Sequence, residues 1–383
     1  MRGYGRWLVL AVVFWGLVAK LPSGAQVDHI VIGAGTPEDH DLQAITSEQD
    51  ATKKLAMYAD FVQKYASNPA AVAYGNWQIS QAYQASGDFQ KGLDYGDKAL
   101  AASPHNLDIL VGQASMAQQS KNYVKLLDYA VKGGEVCATL GKEAKPAGMS
   151  DEEFAGQVAE EKKAAQSSCE FLETSGFNAI QSEPDPHNRM TYIEKFTAAY
   201  PESKFQDPVS NFAIYTLGPG QLNDQPKLIA YCEKTLAANP NSLVALLELA
   251  SFYSEDSKPG SAAKAIGYAQ KAIAVANPDA ADADKTRKNA AGAAHSTLGY
   301  AYMKQGKTLA AVGELKAATA LLKGQDDVQY SIALYRLGYA YAKLIRNTEA
   351  REVLMEAVKI PGPVQSMSQD LLNKVNAARA KGK

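Results

Sequence analysis

The amino-acid sequence predicts an all-α protein built from repeated helix–turn–helix units. Three observations support this fold class: apolar residues recur with helical spacing, the chain repeats itself, and strand signals are nearly absent after residue 35. The spacing i, i+3, i+4, i+7 places a set of side chains on one helical face, as in Leu334, Leu337, Gly338 and Tyr341. A short turn follows, and a second apolar face then predicts the partner helix of the same unit.

Internal repetition occurs on two scales. Residues 43–50 (QAITSEQD) and 178–185 (NAIQSEPD) share the pattern A-I-x-S-E-x-D, and residues 98–104 (KALAASP) and 234–240 (KTLAANP) follow with nearly the same offset. A shorter echo, LGYAY, stands at 298–302 and again at 337–341. We therefore expect a long duplication, with copies that begin near residues 38 and 173, followed by two similar units.

These units resemble the tetratricopeptide repeat (TPR), a helix–turn–helix unit of roughly 34 residues. The match is clearest in 292–325 and 331–363, continues in 73–104, and is weaker in 107–140, 209–240 and 243–278. The resemblance, to a TPR protein of the exported bacterial type, implies a right-handed α-solenoid. In that family a partner lies in the concave groove lined by the first helix of each repeat.

The first 25 residues have the pattern of a secretory signal peptide. Arg2 and Arg6 precede an uninterrupted apolar run from Trp7 to Ala19, shorter than the about 20 residues that a membrane span needs. Small residues then allow cleavage after Ala25. We predict a periplasmic or secreted protein with no stable membrane span after cleavage; the alternative is an uncleaved segment that anchors the chain.

The predicted organisation has six parts, each bounded by a composition change or a repeat boundary. They are a signal peptide (1–25), an N-terminal arm (26–49), a first TPR-like block (50–172), a second, duplicated block (173–290), two C-terminal TPR repeats (291–364) and a capping helix (365–383).

Three cysteines, Cys137, Cys169 and Cys232, are too few for a disulfide scaffold. We favour buried thiols that pack as small apolar side chains. A Cys137–Cys169 bridge is the alternative, if adjacent helices bring the two together.

Composition and motifs exclude several functional classes. With 39 Lys and Arg against 41 Asp and Glu, the net charge of -2 argues against a nucleic-acid partner. The Val31–Gly35 stretch resembles a dinucleotide-binding turn, but Glu38 stands where the fingerprint needs its last glycine. The histidines near Asp39 and Asp41 do not have zinc-site spacing. We predict no enzyme activity, no cofactor and no metal.

An interaction scaffold is the function that this pattern favours, with a protein or peptide partner that carries an acidic segment. The alternatives are a cell-envelope assembly adaptor and an unrecognised enzyme with a site between the duplicated halves. Aromatic and basic side chains on the groove-facing side of the first helices are the candidate contacts, although each tyrosine also suits packing between repeats. These residues are Tyr74, Trp77, Gln81, Gln84, Tyr300, Lys304, Tyr335, Arg336, Tyr339 and Lys343.

Overall fold

The computed structural model describes residues 27–381, with side chains up to residue 378. Across this range the chain forms seventeen helices and no strand. The all-α repeat fold is therefore confirmed. The helices are α1 (Pro37–Ser47), α2 (Ala51–Lys64), α3 (Pro69–Ala85), α4 (Phe89–Ala102), α5 (Leu107–Gln119), α6 (Tyr123–Thr139), α7 (Asp151–Ser182), α8 (Pro186–Ala199), α9 (Gln206–Leu217), α10 (Gln225–Ala238), α11 (Leu243–Glu255), α12 (Ser261–Ala276), α13 (Lys285–Lys304), α14 (Thr308–Leu322), α15 (Asp327–Lys343), α16 (Asn347–Ala357) and α17 (Gln365–Lys381).

The helices divide into two compact units. Within the described residues, unit 1 comprises 27–183 and 194–203, and unit 2 comprises 184–193 and 204–381. Most helices pack in consecutive pairs, whose first member we name the A helix and second member the B helix. In unit 1 the pairs are α1–α2, α3–α4 and α5–α6; in unit 2 they are α9–α10, α11–α12, α13–α14 and α15–α16.

Polar side chains determine where many of the helices begin. Asp50 and Asn68 accept hydrogen bonds from backbone N–H groups in the first turns of α2 and α3, which otherwise have no partner in a helix. Ser150 and Glu153 form the predicted capping box at the start of α7. Pro186 is the first residue of α8, as its fixed φ angle favours. These boundaries were readable from the sequence because capping is a local interaction.

Glycine allows the A and B helices of a pair to approach closely. A Cβ atom added to Gly338 of α15 would lie 2.6 Å from Cγ of Leu354 on α16. Gly299 of α13 has the same distance to Leu315 on α14. Both leucines are fully buried, so they have no free space into which to move. The LGYAY echo thus marks an equivalent close contact in two successive pairs.

The duplication appears in the local structure. The first copy of A-I-x-S-E-x-D ends α1 and the second ends α7, with Ile45 and Ile180 buried at matching positions. The ring centroids of Phe61 and Tyr65 are 4.9 Å apart, and those of Phe196 and Tyr200 are also 4.9 Å apart. KALAASP and KTLAANP end α4 and α10. Equivalent sequences therefore form equivalent elements.

Several predicted boundaries differ from the helices. The predicted block edges at residues 172 and 290 fall inside the continuous helices α7 and α13. The 26–49 segment, expected to be an arm, contains α1 and a docked stretch before it. The predicted C-terminal cap coincides with α17, which buries Leu372 and Val375. The predicted signal peptide, 1–25, lies outside the described residues.

A disulfide joins α6 to α7. The sulfur atoms of Cys137 and Cys169 are bonded, and their Cα atoms are 6.0 Å apart. The preference for buried thiols was therefore wrong for this pair, because the side-by-side packing of α6 and α7 brings the two residues together. Cys232 is a free, buried thiol. Burial raises the pKa of Cys232 to about 12, which keeps it in the unreactive thiol form at neutral pH.

Candidate functional site

The A helices of unit 2 form one continuous surface. Helix α11 contacts α13, and α13 contacts α15, so successive A helices lie side by side. We call the side chains that these three helices present around Arg336 the unit 2 A-helix surface. It brings together five of the predicted contact residues with a set of neighbours: Tyr300, Lys304, Arg336, Tyr339 and Lys343, with Glu255 and Ser296.

Arg336 is the centre of this surface. Its Nη1 donates a hydrogen bond to Oγ of Ser296 at 3.1 Å, and its Nη2 lies 3.5 Å from Oε1 of Glu255. The guanidinium carbon stands 4.6 Å from the centroid of the Tyr300 ring, a cation–π distance. The Arg336 side chain is only 17% exposed. Burial lowers the pKa of Arg336, and the charge of Glu255 opposes that shift.

Glu255, at the end of α11, is the neighbour that the sequence did not reveal. Its Oε2 accepts a hydrogen bond from the Tyr300 hydroxyl at 3.4 Å, and its backbone carbonyl accepts one from Lys304 Nζ at 3.1 Å. Burial raises the pKa of Tyr300, and the Glu255 charge adds to the increase. The Glu255 side chain is 60% exposed and its contacts with Arg336 and Tyr300 are long. The internal counter-ion of Arg336 is therefore weakly held.

Two equivalent cation–π pairs line the ends of α13 and α15. Lys304 Nζ lies 5.4 Å from the centroid of the Tyr300 ring, and Lys343 Nζ lies 5.3 Å from that of Tyr339. In each pair the lysine follows the tyrosine by four residues, which places both on one helical face. The lysine and tyrosine positions repeat with the LGYAY echo. Tyr335 is half-buried among the core side chains of this region, and burial raises its pKa.

Apolar side chains are exposed beside these lysines. Tyr339 is 37% exposed, and Ile345, in the turn after α15, is 81% exposed. Ile345 has φ 59, in the left-handed region that disfavours β-branched residues. The equivalent position after α13 is Gly306, with φ 77. An exposed isoleucine in a strained conformation thus stands where the neighbouring repeat has glycine.

The other predicted contacts belong to unit 1. Tyr74 is half-buried against α1 and the segment that precedes it. Trp77 is half-buried, and a Cβ atom on Gly112 of α5 would lie 2.2 Å from its ring, so Trp77 packs closely on the next A helix. Gln81 is exposed and Gln84 is half-buried. Both aromatic side chains thus pack against neighbouring elements of unit 1.

The described residues contain no group of three metal-ligating side chains close enough to hold a metal ion. Asp39 and Asp41, beside the histidines noted above, have hydrogen-bond partners within the protein: Asp39 accepts from the Gly35 N–H and from Gln43, and Asp41 from Lys64 and Tyr65. Between residues 27 and 381 no helix combines the length and the apolar character of a membrane span.

Comparisons with known proteins return TPR structures. The chain is similar to the P58(IPK) TPR domain (11% identity, 91% of this chain and 99% of that chain, TM-score 0.34). A thermophilic TPR protein from Thermus thermophilus gives 16% identity over 55% and 95% of the two chains, with a TM-score of 0.34. Yeast Tom70 gives 12% identity over 90% and 95%, with a TM-score of 0.27. No family model and no curated protein matches. The assignment of a TPR-like repeat fold follows from the helix pairs of the chain itself.

Proposed function

We propose that the chain is a protein-interaction scaffold whose partner binds the unit 2 A-helix surface through an acidic segment. The observation that supports this most is the environment of Arg336. A mostly buried cation is oriented by Ser296 and Tyr300, yet its carboxylate partner, Glu255, is exposed and makes only a long contact of 3.5 Å with it. A partner carboxylate that replaced Glu255 would meet a preorganised guanidinium group, which is the geometry that favours acidic ligands.

Glu255 provides a direct test because it competes with an acidic partner. Glu255→Gln removes the internal charge and leaves Arg336 available, so we expect a natural partner to bind several-fold more tightly. Isothermal titration with the purified partner measures the change. Weaker binding would indicate a basic partner that uses Glu255 itself, and unchanged affinity would place the partner elsewhere.

Tyr339→Ala tests the same surface from its exposed edge. Loss of an exposed aromatic contact in an interface costs about 1 kcal/mol or more in binding, while the melting temperature should stay close to that of the unchanged chain. Met355→Ala is the matched control, since Met355 lies on the B helix α16 and is 38% exposed. Tyr300→Ala is a less specific variant, because Tyr300 also packs against Arg336.

We also propose that the chain functions outside the reducing cytoplasm, in the periplasm or as a secreted protein. The apolar run at Trp7–Ala19 and the Cys137–Cys169 disulfide are two independent features that support export. N-terminal sequencing of the protein from its native host tests cleavage after Ala25, and an intact Met1 would refute it. If the chain is instead a cell-envelope assembly adaptor, we expect it to bind its partners through the same A-helix surface.

A further inference from the structure

The segment before α1 lies in an extended conformation on unit 1. Its side chains alternate from residue 28 to residue 33: Asp28, Ile30 and Ile32 are half-buried, whereas His29, Val31 and Gly33 are exposed. Such a period of two is the pattern of a strand with one covered face, although the segment is not part of a sheet. Unit 1 therefore holds an extended peptide of its own chain.

One end of this segment is held through a carboxylate. Asp28 Oδ2 accepts a hydrogen bond from the His105 backbone N–H at 2.8 Å, and Asn106 Nδ2 donates to the Asp28 carbonyl at 3.1 Å. The Asp28 N–H donates to the His105 carbonyl at 3.3 Å. This contact lies where α5 begins, and Asn106 is the N-cap of that helix. The carboxylate and the backbone of the segment are thus both recognised.

The other end is held by apolar contacts. Ile30 and Ile32 line a surface cavity with Leu42 of α1 and Tyr74 of α3, and Ile32 also packs on the buried core of these helices. A turn then reverses the chain, because the Thr36 hydroxyl donates to the Gly33 carbonyl at 2.7 Å. The Gly-rich stretch that resembles a dinucleotide-binding motif therefore forms the turn into α1.

The contacts involve all three helix pairs of unit 1. Ile30 and Ile32 line one cavity together with residues of α1 and α3, and Asp28 bonds to His105 and Asn106, which directly precede α5. The segment is therefore held by parts of three successive pairs.

We infer that this surface of unit 1 is a binding site for an extended peptide with the pattern acidic–x–apolar–x–apolar, and that residues 28–32 are its resident occupant. A partner segment of the same pattern binds by taking the place of the chain's own. The resident segment is tethered, so its effective concentration is in the millimolar range, and it masks the site from free peptide. This site is independent of the proposed contacts in unit 2.

The experiment releases the resident segment and supplies the same sequence as a free peptide. In the full chain, Ile30→Asp together with Ile32→Asp prevents docking without shortening the protein. Fluorescence anisotropy then follows a labelled VDHIVIG peptide. We expect at least about tenfold tighter binding to this variant than to the unchanged chain, because tethering no longer fills the site. A peptide that carries Asp28→Ala should bind about tenfold more weakly, because the hydrogen bond to its carboxylate is lost.

Three further variants keep the result interpretable. Asp28→Ala in the full chain leaves both isoleucines and the core contact intact, and it should expose the site partially, with a several-fold gain in peptide affinity. In the released variant, Tyr74→Ala should weaken binding of the peptide, whereas Met355→Ala on the exposed side of α16 should not. Equal binding of the peptide to the released variant and the unchanged chain, with both folded by circular dichroism, would overturn the inference, as would loss of binding on Met355→Ala.

Discussion

Replacing Gly338 by alanine tests whether close A–B helix contacts determine the stability of the repeats. The added Cβ atom would lie 2.6 Å from Cγ and 2.7 Å from Cδ2 of Leu354, which is fully buried. Gly313, on the neighbouring helix α14, is the matched control. It is exposed, and a Cβ atom there has no heavy-atom neighbour within 4 Å.

The expected change in the free energy of unfolding follows from two opposing effects. Both substitutions replace glycine inside a helix, which stabilises a protein by about 0.5–1 kcal/mol. Only Gly338→Ala adds atoms to a filled space, which costs about 1–3 kcal/mol. We therefore expect Gly313→Ala to raise the free energy of unfolding. The free energy of unfolding of the Gly338→Ala protein should be about 1–3 kcal/mol lower than that of the Gly313→Ala protein.

Urea unfolding followed by circular dichroism measures both variants against the unchanged chain. A Gly338→Ala protein as stable as the Gly313→Ala protein would show that the contact with Leu354 does not limit stability. Leu354→Ala provides a second check, because it removes the obstructing side chain. In that background the penalty of Gly338→Ala should largely disappear, and a double-mutant cycle quantifies the coupling.

Three further predictions concern other parts of the chain. Replacing Cys137 and Cys169 together by serine removes a bridge between residues 32 positions apart and should cost about 3–4 kcal/mol in the free energy of unfolding; an unchanged urea midpoint would contradict it. Burial raises the pKa of Glu248 in the folded chain, so the folded state holds the proton more tightly than the unfolded state. The stabilising contribution of Glu248 is present below its pKa in the unfolded chain and is lost as pH rises through its pKa in the folded chain. Glu248→Gln should therefore stabilise the protein at pH 7 and have little effect in acid. Equal stabilisation at both pH values would show that the effect does not come from ionisation of the buried carboxyl group. Ile345→Gly relieves the strain of an isoleucine in the left-handed conformation and should raise the free energy of unfolding by about 1 kcal/mol. It should weaken binding of the partner if the exposed Ile345 side chain contacts that partner. A destabilised variant would show that the turn is not strained.

The helix pairs and their starts were predictable because they depend on neighbours in the sequence. The Ser150 capping box and the Pro186 helix start are local features, set by residues within one helical turn of each other. The repeated motifs likewise indicated equivalent elements. The block edges were less predictable. The A-I-x-S-E-x-D motif lies at the end of a helix. A boundary placed just before the second copy of the motif therefore falls inside α7.

Contacts between distant repeats were not predictable in the same way. Glu255 meets Arg336 across 81 residues, and the pairing depends on how three A helices stack. The docking of Asp28 on His105 spans 77 residues. The bridge between Cys137 and Cys169 depends on the packing of α6 against α7. In each case the residue types were visible, but only the tertiary structure determines which of them meet.

Site-specific photocrosslinking in the native host can show whether a partner binds the unit 2 A-helix surface. A photoreactive phenylalanine analogue replaces Tyr339 on the A helix α15 or, as the control, Met355 on the B helix α16; the two side chains have nearly equal exposure, 37% and 38%. We expect a discrete crosslinked partner from position 339, competed by an acidic peptide, and none from position 355. A partner crosslinked equally at both positions, or only at position 355, would contradict the assignment of the unit 2 A-helix surface as the binding site.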